Sequence, residues 1–128
     1  MKLRIRGSSV RLRLTQDEVA RIAAGQSVSE SSVFPGGQFR YQLSVSSTAA
    51  IAADFSDGTM VVELPRRMTA DWASGDDVSL YGEQAVDGEK LTILVEKDFA
   101  CLSPGGHRES ADDAGAFPHP DADSGKGC

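Results

Sequence analysis

The sequence predicts an α+β domain built from a strand, strand, helix, strand, strand unit that occurs twice, and three observations carry this reading. With the chain offset by 50 residues, Val10, Leu12 and Leu14 fall on Met60, Val62 and Leu64, while Ile22, Ala23, Gly25 and Val28 fall on Trp72, Ala73, Gly75 and Val78. Few of these positions are identical, but the hydrophobic pattern recurs. Hairpin-turn dipeptides recur as well: Gly7-Ser8, Asp57-Gly58 and Asp87-Gly88 each separate two runs in which apolar and polar residues alternate. Finally, Gly25 and Gly75 each close a short stretch with helical spacing. The sum is up to eight short strands and two short helices, expected to pair antiparallel as a pseudo-twofold barrel-like sheet or, failing closure, an open sheet.

Each element has a local reason. Around Gly7-Ser8, pairing Ile5 with Val10, Leu3 with Leu12 and Met1 with Leu14 gathers the apolar side chains on one face and Lys2, Arg4, Arg11 and Arg13 on the other. A slip of one residue would scramble both faces. Thr15-Gln16-Asp17-Glu18 has capping-box spacing, so a helix is expected to about Ala24 with Val19, Ile22 and Ala23 as its buried stripe. Residues 26 to 34 are serine-rich and leave their register open, whereas Phe39, Tyr41, Leu43 and Val45 alternate as a strand. Around Asp57-Gly58 the same logic pairs Phe55 with Met60, Ala53 with Val62 and Ile51 with Leu64. Pro65 stands where a helix can begin, Met68 and Trp72 share a side four residues apart, and Gly75 ends the segment. The last hairpin sets Val78 and Leu80 on the face of Leu91, Ile93 and Val95, with Tyr81 and Leu94 on the reverse. The expected core is Ile5, Leu12, Leu14, Ile22, Phe39, Tyr41, Leu43, Val62, Leu64, Trp72, Leu80, Ile93 and Val95.

Composition sets the outer limits. From Pro104 onward the chain turns to Gly, Ser, Asp, Ala, Pro and His with Phe117 as its one large apolar residue before Cys128, too little to offset ordering entropy. The expected division is a single domain over 1–103 and a flexible acidic tail over 104–128. With 11 basic against 14 acidic residues in the first part and 2 against 5 in the second, each part carries −3 of the −6 total. That balance disfavours nucleic acid as a partner. No apolar run reaches the roughly 18 residues of a membrane span, and the basic N-terminus lacks a signal peptide's apolar stretch. The two cysteines, Cys101 and Cys128, form no disulfide framework; free thiols and a cytoplasmic setting are expected.

The strongest chemical constellation is the basic stripe of Lys2, Arg4, Arg6, Arg11 and Arg13 on one hairpin face. Like charges opposed across a ladder cost stability unless something answers them. A phosphate-bearing ligand could, since guanidinium forks match phosphate oxygens and five cations in a small area attract polyanions. So could internal ion pairs: the offset sets Arg4 against Asp54 and Arg13 against Glu63, opposite charges that a pseudo-twofold sheet could bring into register. A solvated face is the third option. A separate strip, Glu96-Lys97-Asp98 before Cys101, offers two carboxylates on one side of a strand and an amine on the other. Cys101, His107, His119 and Cys128 hold zinc-type atoms, but their spacing fits no common finger or ribbon. The stretch from Leu14 to Ala20 echoes the start of a helix-turn-helix reader, yet no recognition helix follows Gly25. The chain contains no GxGxxG, Walker-type loop, HExxH or GxSxG.

The opening MKLRIRGSSVRLRLTQDEV and the closing VEKDFACL resemble an uncharacterised family of small bacterial proteins, a domain of unknown function. The resemblance spans most of 1–103 and implies neither activity, cofactor nor catalytic residue. The expected role is a non-enzymatic binding module whose basic face takes an acidic protein or a phosphorylated small ligand, with no cofactor. The alternatives are a small enzyme with its site at a barrel mouth near Glu96 and Asp98, or a structural subunit held through apolar sheet faces.

Overall fold

Three hairpins form in the expected registers in the computed structural model, which describes residues 1–99 and Phe117. Strands β1 (Lys2–Arg6) and β2 (Ser9–Leu14) pair Leu3 with Leu12 and Ile5 with Val10, turning at Gly7 with φ of 56°. Met1 and Leu14 extend the register on paper only, because the ladder starts at Lys2 and Arg13. Strands β5 (Ala52–Ser56) and β6 (Thr59–Pro65) pair Phe55 with Met60, and β7 (Ser79–Val86) and β8 (Glu89–Lys97) pair Tyr81 with Leu94. Their turns place Asp57, Gly58, Asp87 and Gly88 all at positive φ, the conformation that makes Asp-Gly a hairpin turn. The serine-rich segment is a strand too: β3 (Val28–Phe34) pairs with β4 (Gly37–Ser46), Val28 opposite Leu43 and Glu30 opposite Tyr41.

Helix α1 (Gln16–Ala23) opens on a complete capping box, with the Glu18 amide donating to Thr15 Oγ1 and the Thr15 amide to Glu18 Oε1. It closes where Gly25, at φ of 87°, lets the Gln26 amide reach Arg21 O and its own amide reach Ile22 O. Val19 and Ile22 are buried, but Ala23 is exposed and drops out of the expected stripe. Helix α2 (Arg66–Ser74) begins one residue after Pro65, which ends β6 and serves as N-cap without a side-chain bond. Gly75 stops it by close approach, because a Cβ there would lie 2.7 Å from Asp71 O while its backbone stays extended.

The order ββαββ thus occurs twice, but the hairpins do not stay with their own half. One four-stranded sheet runs β1-β2-β8-β7 and the other β3-β4-β6-β5. Advancing the strand numbers by four turns one order into the reverse of the other. The antiparallel expectation fails at both centres: β2 runs parallel to β8, and β4 parallel to β6. In each half the two hairpins lie in different sheets, with a helix between them in sequence, so each centre joins strands from different halves. Nor do the sheets close into a barrel, since among the described residues no ladder links β1 to β3 or β5 to β7.

The inner faces of both sheets and the two helices enclose one core. Leu12, Leu14, Leu43, Val62, Leu64, Trp72, Ile93 and Val95 are fully buried and Ile22 nearly so, whereas Phe39, Tyr41 and Leu80 are half-buried. Ile5 is the exception to the expected core: it is 54% exposed, because β1 is an edge strand and the open sandwich leaves its outer half uncovered. Trp72 keeps its indole N–H satisfied at Val78 O, and Lys97 turns inward to donate to Gly75 O. The Lys97 ammonium lies 5.9 Å from the Trp72 ring centre and 5.5 Å from that of Phe117.

The seam between β5 and β7 is packed tightly. The Ala53 amide donates to Gln84 Oε1 at 2.8 Å, and a Cβ on Gly82 would lie 2.8 Å from Ile51 Cβ. Leu12→Ala is expected to cost about 2–5 kcal/mol in denaturant unfolding, and Gly82→Ala about 1–3 kcal/mol by overpacking Ile51. Ile5→Ala, at an exposed site, is expected to cost less than about 1 kcal/mol in the same measurement.

Candidate basic face and its acidic border

Register fixes what lies beside each cation. On the outer face of the β1-β2-β8-β7 sheet, Lys2 is followed by Arg13, Glu96 and Ser79 across the strands. The next row is Arg4, Arg11, Leu94 and Tyr81, and the third is Arg6, Ser9, Thr92 and Glu83. Parallel pairing of β2 with β8 therefore unites two constellations that are more than 80 residues apart in the chain, the basic stripe and Glu96 with Asp98.

Glu96 Oε1 accepts from Arg13 Nε at 2.8 Å and lies 3.4 Å from Arg11 Nε. Lys2 Nζ stands 3.0 Å from Asp98 Oδ2, and Asp98 is only 5% exposed. The Asp98 amide donates to Leu14 O, which prolongs the β2–β8 ladder by one bond and anchors that carboxylate. Among the described residues, Arg4 and Arg6 make no ion pair. Lys2, Arg4, Arg11 and Arg13 together with Leu3 border a shallow depression of about 180 Å³. At the opposite edge of the same face Glu83 is already engaged, by the Tyr81 hydroxyl at 2.8 Å and Lys90 at 3.4 Å. The hydrogen bond from Tyr81 and the charge of Lys90 lower the Glu83 pKa, and the bond to Glu83 raises that of Tyr81.

Of the options for the basic stripe, the pairing of Arg4 with Asp54 and of Arg13 with Glu63 does not occur. Asp54 and Glu63 lie in the other sheet, opposite Val61 and Ala52, and Glu63 accepts from Ser46 Oγ. Exchange of hairpins between sheets separates equivalent positions instead of facing them. Nor do Glu96, Lys97 and Asp98 converge, because Lys97 points into the core while both carboxylates hold cations outside. Cys101, His107, His119 and Cys128 lie outside the described residues, and no metal-ligating cluster is present among those described.

Two features escape a reading of the sequence. One is a clamp on the Met1 ammonium, which contacts Glu18 Oε2 and Glu30 Oε2 at 2.6 Å each, while Tyr41 Oη donates to Met1 O. Glu18 thus serves both the helix cap and the clamp. Burial alone would lower the ammonium pKa, but hydrogen bonds and charge from Glu18 and Glu30 outweigh it and raise the value above 8.0. Burial, assisted by the charges of Glu30 and Glu18, raises Tyr41. The other is a cleft of about 500 Å³ lined by Ile5, Val10, Phe39, Phe55, Met60 and Leu91 among others, with the rings of Phe39 and Phe55 stacked 6.2 Å apart. Alternation predicts these side chains to face inward; only the open sandwich leaves a gap between them.

Because the folded ammonium titrates above its unfolded counterpart, its stabilising contribution is complete below pH 8.0 and is lost as pH rises through the raised value. Acetylating the amino group is expected to flatten that alkaline decline in a stability-against-pH series. Glu96→Gln is expected to cost about 0.5–1 kcal/mol, modest because Arg13 is solvent-exposed, and less at high salt; denaturant unfolding at two salt concentrations measures both.

No helix of the described residues is long and apolar enough to cross a membrane. No curated protein and no solved structure matches this chain. A family model does, over residues 1–121, which runs past Ser103 and includes Phe117, whose backbone bridges Phe99. The chain belongs to that family of unknown function, DUF7009.

Proposed function

We propose that the outer face of the β1-β2-β8-β7 sheet is a non-enzymatic binding surface for an anionic partner, an acidic protein or a phosphorylated ligand, in a cytoplasmic setting. The observation that carries this is the unequal neutralisation of the five cations. Glu96 and Asp98 answer Lys2, Arg11 and Arg13, while among the described residues Arg4 and Arg6 meet no carboxylate. Arg4 stands directly opposite Arg11 in the ladder, an arrangement of like charges that an incoming anion relieves. In this reading Arg4 and Arg6 make first contact, Arg11 turns from Glu96 to share the ligand, and Lys2 and Arg13 hold the local field positive. The −6 charge of the chain supports a defined patch over diffuse nucleic-acid binding.

Titration calorimetry with inorganic polyphosphate tests the proposal. Binding is expected to weaken between about 50 and about 300 mM salt as screening lengths shorten. Arg4→Ala with Arg6→Ala is expected to reduce affinity by at least about tenfold, the effect of losing charge-assisted hydrogen bonds. Glu96→Gln is expected to tighten binding by freeing Arg11 and Arg13. Salt-insensitive binding, or an unchanged affinity in the double variant, would overturn the assignment.

A further inference from the structure

The edge of β1 carries a second message, one that rests on the anionic reading above. Strand β1 pairs with β2 only, so among the described residues the backbone groups along its other edge meet no strand. Such an edge is a template for another chain. Its side chains are sorted by the pleat: Lys2, Arg4 and Arg6 on the outer face, Leu3 and Ile5 on the inner face, where Ile5 lines the apolar cleft.

The two seams of the sandwich differ. Between β5 and β7, Ile51 fills the space over Gly82, and Gln84 caps the Ala53 amide. At the positions 50 residues earlier stand Ser32 and Phe34, both exposed, Phe34 by 58%. The β1–β3 seam is tied at one end by the Met1 clamp. Toward the turns it leaves Ile5 54% exposed on one side and Phe34 on the other.

We propose that β1 accepts an added strand from a protein partner whose sequence alternates acidic and apolar residues. With such a segment in register, every second side chain lies on the outer face and sets a carboxylate beside Arg4 or Arg6. The intervening side chains fall on the inner face and extend the row of Ile5 across the β1–β3 seam toward Phe34 and Phe39. The backbone of the same segment pairs with the free edge of β1. Charge, period and edge all select an extended acidic-apolar strand. A compact anion would use only the guanidinium groups.

Fluorescence anisotropy on the full chain tests this with a labelled peptide of alternating glutamate and valine, about six residues long to match an ordinary strand. Comparators are its isomer with the glutamates in one block, a copy methylated at alternate amides, and inorganic polyphosphate. The alternating peptide is expected to bind at least about tenfold more tightly than the block isomer and the methylated copy, about 1.4 kcal/mol or more. Arg4→Glu with Arg6→Glu should abolish binding, and Ile5→Ser should weaken the alternating peptide while sparing polyphosphate. Equal binding of the two isomers, or indifference to amide methylation, would overturn strand addition and leave the anion surface standing. Failure of every probe would overturn both, making the cations of β1 a guard against edge aggregation. Should the charge-reversal variant not fold, the peptide comparisons on the unaltered chain still decide.

Discussion

Parallel pairing of β2 with β8, mirrored by β4 with β6, is the constraint on which the architecture depends. Each hairpin can form from neighbouring residues, but a lone hairpin leaves an apolar face in water and is marginal by itself. The parallel ladders fuse hairpins from different halves into sheets wide enough to bury those faces against each other. Everything else follows from this exchange: α1 and α2 each stand between hairpins of different sheets, and the inner faces of both sheets share one core. The same exchange keeps the acidic positions of β5 and β6 away from the cations of β1 and β2.

Electrostatics on the outer face are a local compromise. Five cations in two adjacent strands repel one another, and two carboxylates delivered by the end of β8 relieve the half of the cluster nearest the helices. Asp98 is nearly buried, and Lys2 lies against its carboxylate. Toward the turn at Gly7 no carboxylate follows, and the charges of Arg4 and Arg6 are met by solvent alone among the described residues. The gradient from paired to unpaired charge runs along a single strand.

Much of the local structure is legible in the residues. Asp57-Gly58 and Asp87-Gly88 dictate their turns, Thr15 and Glu18 dictate a helix start, and alternation sorts nearly every core side chain correctly. What escapes is information that no local pattern holds. Whether Leu12 lies beside Val95 or beside Val62 cannot be decided from alternation, because all three present the same apolar face. The exposure of Ile5 and the existence of the cleft depend on how two sheets splay, a property of their edges. For the site, the cations are legible in the opening residues and the carboxylates in Glu96 and Asp98, but their union depends on the parallel ladder. The offset correspondence of Arg4 with Asp54 misleads for the same reason: it identifies equivalent positions, and the exchange of hairpins sends equivalents apart.

The exchange also orders the assembly of the molecule in time. Residues 28–65 contain the whole of the β3-β4-β6-β5 sheet, so it can fold from one continuous stretch as soon as that stretch leaves the ribosome. The other sheet joins the first strands of the chain to strands ending at Lys97. Until those are made, the β1–β2 hairpin has no partner for its central edge, and its apolar face is protected only by transient contacts. Long-range pairing of this kind slows folding and prolongs exposure of sticky surface. The like charges of Lys2, Arg4, Arg6, Arg11 and Arg13 repel between nascent copies of that hairpin, which opposes edge-to-edge addition during the wait.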